Sequence, residues 1–433
     1  MKRKLSSIEH MIDGNIVYFV RLSGHFQAHR LQTAIARLQI KHPALRMLIR
    51  EEQDGLYYEF DCAPEIGLRI LPRTEPGHYR RETAVELRTR FSHDEPQLRV
   101  VWLHSDREQD LLFVASHRIC DGMSMLTIVR EVLRFLHRDE IPDSYAPVSP
   151  DDIVGDYRPP HPWKRRMSAH LCNGILGLIP ESRRDPGNHE YSLEWCAGRE
   201  LSDALRQRCR SEGVSVHAAL KVALDRALLA ALGERKIPAW IESPMDARRG
   251  RLAMLRSDML FFGGGSLKLH TSCDSKGDFW EQARAVNQEL RSKIDQELQS
   301  IPGRYHFLGM LRPLSDAKIR TMVRMSEALR VNGSWNRFAL SNLGDVAVTE
   351  PDAPFRLLDL RLYVHSFNIR LLGLVCYLLN GQMRFYYVGD EKCMSPVQAD
   401  TLQREMMALL EDQVQISTYQ DEATSVGAHP LAG

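Results

Sequence analysis

The stretch ASHRICDGMS, residues Ala115 to Ser124, joins two different residue patterns. The residues Leu111 to His117 form an apolar run that predicts a buried strand, whereas apolar residues after Gly122 recur at helical spacing. His117 therefore stands at a predicted strand end, and Asp121 with Gly122 supplies a tight turn into a helix. The first half of the chain is accordingly predicted to mix strands and helices.

The residues around His117 suit several kinds of site. A metal site is not predicted, because His117 and Asp121 have no third ligand at H-E-x-x-H or similar spacing. Cys120 is predicted to be a packed thiol, since the neighbouring Asp121 disfavours a reactive thiolate. A histidine at a strand end can take a proton from a hydroxyl or amine near neutral pH, and Gly122 would leave room for a substrate to pass. The short pattern H-x-x-x-D-G leaves this general base and a purely structural turn both open.

The composition excludes several classes of protein. The chain has 433 residues, which favours two or three domains, and its 57 basic and 56 acidic residues give no general attraction to nucleic acid. The longest strongly apolar stretch, Leu371 to Leu379, is shorter than the roughly 20 residues that cross a membrane. The eight cysteines show no C-x-x-C spacing, which favours free thiols in a reducing cytoplasm.

Strands and helices are predicted along both halves of the chain. In the first half, strands are expected near residues 16–22, 56–60, 98–104 and 111–117, with a helix over 31–38 that ends before Pro43. In the second half, Ser202 and Ser215 are expected to cap two helices, and Asn380-Gly381 predicts a hairpin turn. The expected division is an N-terminal domain over residues 1–165, a linker over 166–198 and a C-terminal domain over 199–433.

The connecting stretch from Ile141 to Gly198 has an uneven charge pattern. The basic clusters WKRRM and ESRRD flank the apolar sequence HLCNGILGLIP. A solvated linker with a short packed helix and a peripheral contact with a membrane or a partner both fit this pattern.

SHRICDG (Ser116 to Gly122) resembles the H-H-x-x-x-D-G motif of the condensation-domain and CoA-dependent acyltransferase superfamily. The likeness is greatest to stand-alone polyketide-associated acyltransferases and nonribosomal-peptide condensation enzymes. Ser116 departs from the motif, because it replaces the first histidine. Other stretches resemble the family in family order: LSSIEHMI (Leu5 to Ile12), KHPALR (Lys41 to Arg46), GVSVHAALKVAL (Gly213 to Leu224), SPMDARR (Ser243 to Arg249) and LSNLG (Leu340 to Gly344).

The resemblance implies an α/β (α+β) fold of two chloramphenicol-acetyltransferase-like domains that form a V with a central tunnel. It implies that His117 is the catalytic base and that Asp121 is structural and paired with Arg248. Gly122 belongs to the same active-site turn, and Ser341 and Asn342 are expected near the substrate or the oxyanion.

The implied activity is acyl transfer from a thioester to a hydroxyl or amine, giving an ester or amide in secondary-metabolite or lipid biosynthesis. The donor would be acyl-CoA or a phosphopantetheine-linked acyl group on a carrier protein acting in trans, with no tightly bound cofactor. The acceptor would be a small molecule, and the protein would be a cytoplasmic monomer, a pseudo-dimer of two similar domains. A catalytically silent protein that recruits a carrier-protein or enzyme partner is the alternative.

Overall fold

The computed structural model describes residues 2–53, 55–181, 189–234, 236–248, 252, 254–262, 265–328, 338–368, 370–414 and 429–430. Its strands are β1 (Lys2–Lys4), β2 (Gly14–Ser23), β3 (Leu48–Glu52), β4 (Gly55–Glu59), β5 (Leu68–Pro72), β6 (Leu98–His104), β7 (Glu108–Ser116), β8 (Glu190–Cys196), β9 (Trp240–Pro244), β10 (Ser266–His270), β11 (Phe338–Asp345), β12 (Arg356–Ser366), β13 (Leu372–Leu379), β14 (Gln382–Asp390) and β15 (His429–Pro430). Its helices are α1 (Ser7–Met11), α2 (Ala28–Lys41), α3 (His78–Arg88), α4 (Gly122–His137), α5 (Pro150–Val154), α6 (Pro162–Leu178), α7 (Arg199–Ser211), α8 (Val216–Leu232), α9 (Phe279–Leu308), α10 (Asp316–Ala328) and α11 (Pro396–Val414).

The first large sheet carries the strand that ends at His117. Its strand order is β12-β2-β7-β6-β5, and β7 pairs antiparallel with both β2 and β6. The strands β2 and β7 are buried along nearly their whole length, because helices α3 and α4 contact them. The strands predicted near residues 16–22, 98–104 and 111–117 are confirmed here, and the small sheet β1-β4-β3 contains the strand predicted near residues 56–60.

The second large sheet has the order β10-β9-β11-β13-β14-β8-β15. Asn380 and Gly381 join β13 to β14 with φ angles of 51° and 80°, as a two-residue hairpin turn requires, so this prediction is confirmed. Ser215 caps α8 by accepting from the Ala218 amide, as predicted. The predicted cap at Ser202 is wrong: α7 begins earlier, and the Ser202 hydroxyl accepts from the backbone amide of Met383 on β14.

The sheets do not follow the predicted domain boundaries. Strand β12, from the last third of the chain, pairs with β2 at the edge of the first sheet. Strand β8 lies within the stretch that was expected to be a linker, yet it pairs with β14 in the second sheet. Helix α6 runs across the boundary expected at residue 165. The mixed α/β class is confirmed, whereas the V shape with a central tunnel stays a prediction.

No helix within the described ranges is long and apolar enough to cross a membrane. All eight cysteines are free thiols. Helix α6 is attached to the rest of the protein by one narrow face, and Ala169 is its buried residue. The second basic cluster, ESRRD, lies outside the described residues after Glu181.

Candidate functional site

His117 is the first residue after strand β7, and its backbone is fixed to the neighbouring strand. The His117 amide donates to the Gly14 carbonyl at 2.8 Å. The His117 Nδ1 atom lies 2.8 Å from the carbonyl oxygen of Cys120. Because a carbonyl oxygen only accepts hydrogen bonds, Nδ1 must carry the proton, which leaves a lone pair on Nε2. Residues 117–121, called the His117 turn below, therefore fix the imidazole in one tautomer.

Burial also favours the basic form of His117. It lowers the pKa of the imidazole below its ordinary value of 6.5, while the Cys120 carbonyl and the charge of Asp121 act in the opposite direction. The residue as a whole nevertheless remains partly exposed. A neutral imidazole with a free Nε2 atom is the form that can accept a proton from a substrate.

Asp121 closes the His117 turn and begins helix α4. Its Oδ1 atom accepts from the backbone amide of Ser124 at 2.8 Å and from the Ser124 hydroxyl at 2.9 Å. Arg248 donates through Nη2 to the same oxygen at 2.6 Å and through Nη1 to Oδ2 at 3.0 Å. Asp121 and Arg248 thus form the ion pair that the resemblance implied, and both carboxylate oxygens are occupied by it.

Arg248 also binds the loops of the second half of the chain. Its Nε atom donates to the Met259 carbonyl at 3.0 Å, and Nη1 contacts Asp246 at 2.6 Å. The backbone amide of Phe261 donates to the Ser124 hydroxyl at 3.1 Å. These bonds place the next residue, Phe262, with its ring edge-on to His117 at 5.1 Å between ring centroids. One buried guanidinium therefore sets the position of the loop that faces the imidazole.

Gly122 lies in close contact with side chains from both halves of the chain. A Cβ atom at this position would lie 3.2 Å from Leu343 and 3.3 Å from the hydroxyl of Tyr18, which donates to the Gly122 carbonyl at 2.9 Å. The expected free space for a substrate is filled here, so that expectation is wrong. The glycine instead lets strand β11, which carries Leu343, pack directly on the His117 turn.

Ser341 and Asn342 precede Leu343 on strand β11 and are half-buried. They pair in register with Val375 and Cys376 of β13, and the Asn342 side chain accepts from the Gly344 amide at 3.0 Å. These contacts bring neither side chain onto His117. Their role near a substrate or an oxyanion stays a prediction.

A cavity adjoins the His117 turn, and we call it the Phe262 cavity. It encloses about 620 Å³, including the part open to solvent. Arg118 and Ile119, which follow His117, line this cavity, and so do Phe261 and Phe262. Its remaining lining residues are Arg3, Ser6, Glu9, Pro43, Ala44, Met47, Tyr58, Phe60, Tyr145, Pro147, Val148, Pro150, Ile153, Leu260 and Tyr305.

The sequence matches no family model and no curated protein, but several solved structures share its architecture. Polyketide synthase associated protein 5 from Mycobacterium tuberculosis is 14% identical, with a TM-score of 0.65 over 95% of this chain and 98% of that one. The trichothecene 15-O-acetyltransferase from Fusarium sporotrichioides is 11% identical, with a TM-score of 0.68 over 95% of both chains. The first condensation domain of the CDA synthetase is 14% identical, with a TM-score of 0.67 over 96% of both chains.

This chain has the condensation-domain fold. The resemblance that rests on SHRICDG and the other quoted stretches is thereby confirmed at the level of the fold. In the condensation-domain fold of this protein, His117 lies at the end of a central strand, between the first sheet and loops of the second half.

A polar network supports the wall of the Phe262 cavity, and no pattern in the sequence predicts it. Glu131 of α4 accepts from Lys41 at 2.5 Å and from His42 Nε2 at 2.6 Å. The other ring nitrogen of His42 therefore accepts from the Tyr145 hydroxyl at 2.9 Å, and that hydroxyl accepts from the Leu260 amide at 3.0 Å. His42, predicted to be a helix-end residue, does end α2, and burial lowers its pKa. The network fixes Tyr145 against the cavity.

One set of potential metal ligands occurs among the described residues, and it does not include His117. It consists of His137, Glu350 and Asp352. Arg138 pairs with both carboxylates, at 2.7 Å and 3.0 Å. The arrangement is explained by these ion pairs at a partly exposed helix end.

Proposed function

We propose that this protein transfers an acyl group from a thioester to a hydroxyl or amine of a small acceptor molecule, with His117 as the general base. The observation that carries the proposal is the hydrogen bond from His117 Nδ1 to the Cys120 carbonyl. It leaves the lone pair of Nε2 available on a partly exposed residue that adjoins the Phe262 cavity.

The proposed reaction needs no acyl-enzyme. Nε2 of His117 removes the proton of the acceptor while the acceptor oxygen or nitrogen forms a bond to the thioester carbonyl carbon. The resulting tetrahedral oxyanion collapses, the carbon–sulfur bond breaks, and the proton held by His117 passes to the leaving thiolate. One such base contributes roughly 10²–10⁴-fold to the rate, and positioning of the two substrates supplies much of the rest.

The other residues act on the geometry of the base. Asp121 and Arg248 hold the His117 turn by a partly buried ion pair and do not exchange the proton themselves. We assign Ser341 and Asn342 to the donor or oxyanion region, on the strength of the family resemblance of LSNLG.

The solved relatives support acyl transfer as the class of reaction. One of them is an acetyltransferase by name, and another is a condensation domain. The donor in this protein would be an acyl-CoA or an acyl group on a carrier protein, either of which enters and leaves as a co-substrate. A silent protein that recruits a partner would share the fold, and product formation separates the two.

The test is a search for the acylated product. The purified protein is incubated with a panel of acyl-CoAs and loaded carrier proteins plus extract of the source organism, and new acylated compounds are sought by mass spectrometry. We expect a product that wild type and the His29→Ala control make and His117→Ala does not, since His29 is exposed on α2. A folded protein that binds a carrier protein but yields no product with any thioester would contradict the proposal.

A further inference from the structure

The Phe262 cavity contains a buried phenol without a hydrogen-bond partner. Tyr58 is 1% exposed, and its hydroxyl oxygen makes no hydrogen bond to the described residues. Two more donors on the cavity wall share this property within the described part of the chain, namely the Nε atoms of Arg3 and Arg118. Buried polar groups are nearly always paired in folded proteins, so the unpaired Tyr58 hydroxyl of a residue that lines this cavity is a candidate donor to a group bound there, and the two Nε atoms are further candidates.

The charges around these donors are already balanced. Arg3 donates through both terminal nitrogens to Glu9, at 2.9 Å and 2.8 Å, and its guanidinium lies 4.9 Å from the Tyr58 ring centroid. Arg118 pairs with Asp13 at 3.2 Å. Each cation therefore has an acidic partner, and the cost of burying a further negative charge would not be repaid.

The rest of the wall is mainly apolar. Its side chains include Met47, Phe60, Ile119, Leu260 and Phe261. Such a wall suits an aromatic or aliphatic body with few polar atoms, which is the usual composition of a small-molecule site.

We propose that the Phe262 cavity binds a largely apolar substrate through one neutral oxygen acceptor, such as a ketone, ester or amide carbonyl, held by Tyr58 and Arg118. This inference rests on the proposed function, because it names the class of substrate that would lie beside His117. Anionic substrates are disfavoured by the paired state of Arg3 and Arg118.

The test uses three probes of similar size: acetophenone, ethylbenzene and benzoate. Binding is measured by ligand-observed NMR with the full chain, so it does not depend on catalysis. Acetophenone is expected to bind most tightly, and Tyr58→Phe is expected to weaken it about 3- to 10-fold, the value of one net hydrogen bond. The weak binding of ethylbenzene should not change. Tyr57→Phe on the same strand is the matched control and should behave as wild type.

Three results would overturn the proposal: benzoate binding more tightly than acetophenone, equal affinity of Tyr58→Phe and wild type for acetophenone, or no binding of any probe. If the probes bind as expected but no acyl product is ever found, the cavity assignment stands and the proposed function fails. If acyl transfer occurs without selective probe binding, the proposed function stands and the cavity assignment fails.

A separate observation concerns helix α6. Five large apolar side chains lie on its outer face, at 56% to 85% exposure: Trp163, Met167, Leu171, Ile175 and Leu178. The spacing of three or four residues puts them in one stripe. The opposite face holds the helix on the protein, where Asn173 donates to the Met310 carbonyl at 3.0 Å and accepts from the Arg312 amide at 2.8 Å.

The charged residues of α6 are all basic. The helix contains Lys164, Arg165 and Arg166 and no acidic residue, and Lys164 and Arg166 are exposed. An exposed apolar stripe with a tryptophan and flanking cations is typical of a helix that lies in the interface of an anionic membrane. We infer that α6 docks this protein on an anionic lipid surface, with the stripe inserted and the two cations at the headgroups.

Vesicle flotation tests this inference. Wild type is expected to float with phosphatidylcholine vesicles containing 30% phosphatidylglycerol, and much less with pure phosphatidylcholine, on the order of a tenfold difference in affinity. Leu171→Ser with Ile175→Ser should reduce flotation at least about tenfold. Val85→Ser, at an equally exposed apolar residue of α3, is the control and should float like wild type. Failure of wild type to bind the anionic vesicles, or undiminished binding by the double variant, would overturn the inference.

Discussion

Arg248 donates to both carboxylate oxygens of Asp121, at 2.6 Å and 3.0 Å, although 127 residues separate them in the sequence. The arginine side chain is 2% exposed and the aspartate side chain 24%. The pair therefore joins the two halves of the chain at the turn that carries His117. It also fixes the loop of Phe262, which faces the imidazole.

Removing the arginine should destabilise the protein more than removing an exposed one. Arg248→Met leaves the Asp121 carboxylate and the Met259 carbonyl without their donor, and it should lower the free energy of unfolding by about 2–4 kcal/mol. Arg206→Met breaks an exposed pair with Asp203 and should cost less than about 1 kcal/mol. Urea unfolding measures both values. Equal losses in the two variants would show that the buried pair does not stabilise the fold as described.

The lowered pKa of His117 predicts the acid limit of the activity. The base works only when deprotonated, so activity falls as the pH drops through its pKa, which lies below 6.5 because burial disfavours the charged ring. The acid limb of kcat/KM against pH should therefore have its midpoint below 6.5. An acid limb centred above 6.5 would mean that another group, or an exposed imidazole, limits the rate.

His217 on helix α8 predicts part of the acid sensitivity of the fold. Burial lowers its pKa from 6.5 to about 4, whereas the unfolded chain takes up the proton near 6.5. The unfolded state thus binds more protons between these values, and the free energy of unfolding falls as the pH drops from about 6.5 to about 4.

His217→Gln removes the titrating ring but keeps an amide that can bond to Ser243, which the ring contacts at 2.9 Å. Its Tm should fall less steeply than that of wild type over this pH range. His117 and His42 also have lowered pKa values and remain in both proteins, so the difference between the two slopes isolates His217. Parallel slopes would refute the assignment.

Gly122 and Leu343 are expected to be energetically coupled. In Gly122→Ala the new Cβ atom comes 3.2 Å from the Leu343 side chain, so the variant should lose about 1 kcal/mol of stability by overpacking. Adding Leu343→Ala removes the close contact with Leu343. Gly122→Ala should then lower the free energy of unfolding by less in the Leu343→Ala background than in the wild-type background. A double-mutant cycle from urea unfolding measures this coupling. Strictly additive losses of stability would show that the contact between residue 122 and Leu343 does not cause the destabilisation.

Local patterns predicted the elements that position His117. The apolar run before it and the helical spacing after Gly122 correspond to β7 and α4, and the Asn380-Gly381 pair forms the expected turn. These elements depend mainly on residues that are adjacent in the sequence, so local patterns are sufficient to predict them. The contact of Asp121 with Arg248 came from family resemblance, since no local pattern links residues that are so distant.

Long-range packing was not predictable in the same way. Nothing in the pattern of β12 shows that it pairs with β2 rather than with the second sheet, because alternation indicates a strand but not its partner. Ser202 is a residue type that often caps helices, but its hydroxyl accepts from the backbone amide of Met383 on β14. The unpaired hydroxyl of Tyr58 depends on the whole wall of its cavity, and a sequence does not show which donors lack partners.

The proposed reaction depends on Nε2 of His117 as the general base. Once an acylated product and its thioester donor are known, the direct measurement is single-turnover acyl transfer with thiol release by wild type and His117→Asn. Asparagine can still donate to the Cys120 carbonyl but has no basic nitrogen, so the rate should fall by roughly 10²–10⁴-fold while the Tm stays near that of wild type. Transfer at the wild-type rate by the folded His117→Asn protein would show that His117 is not the base.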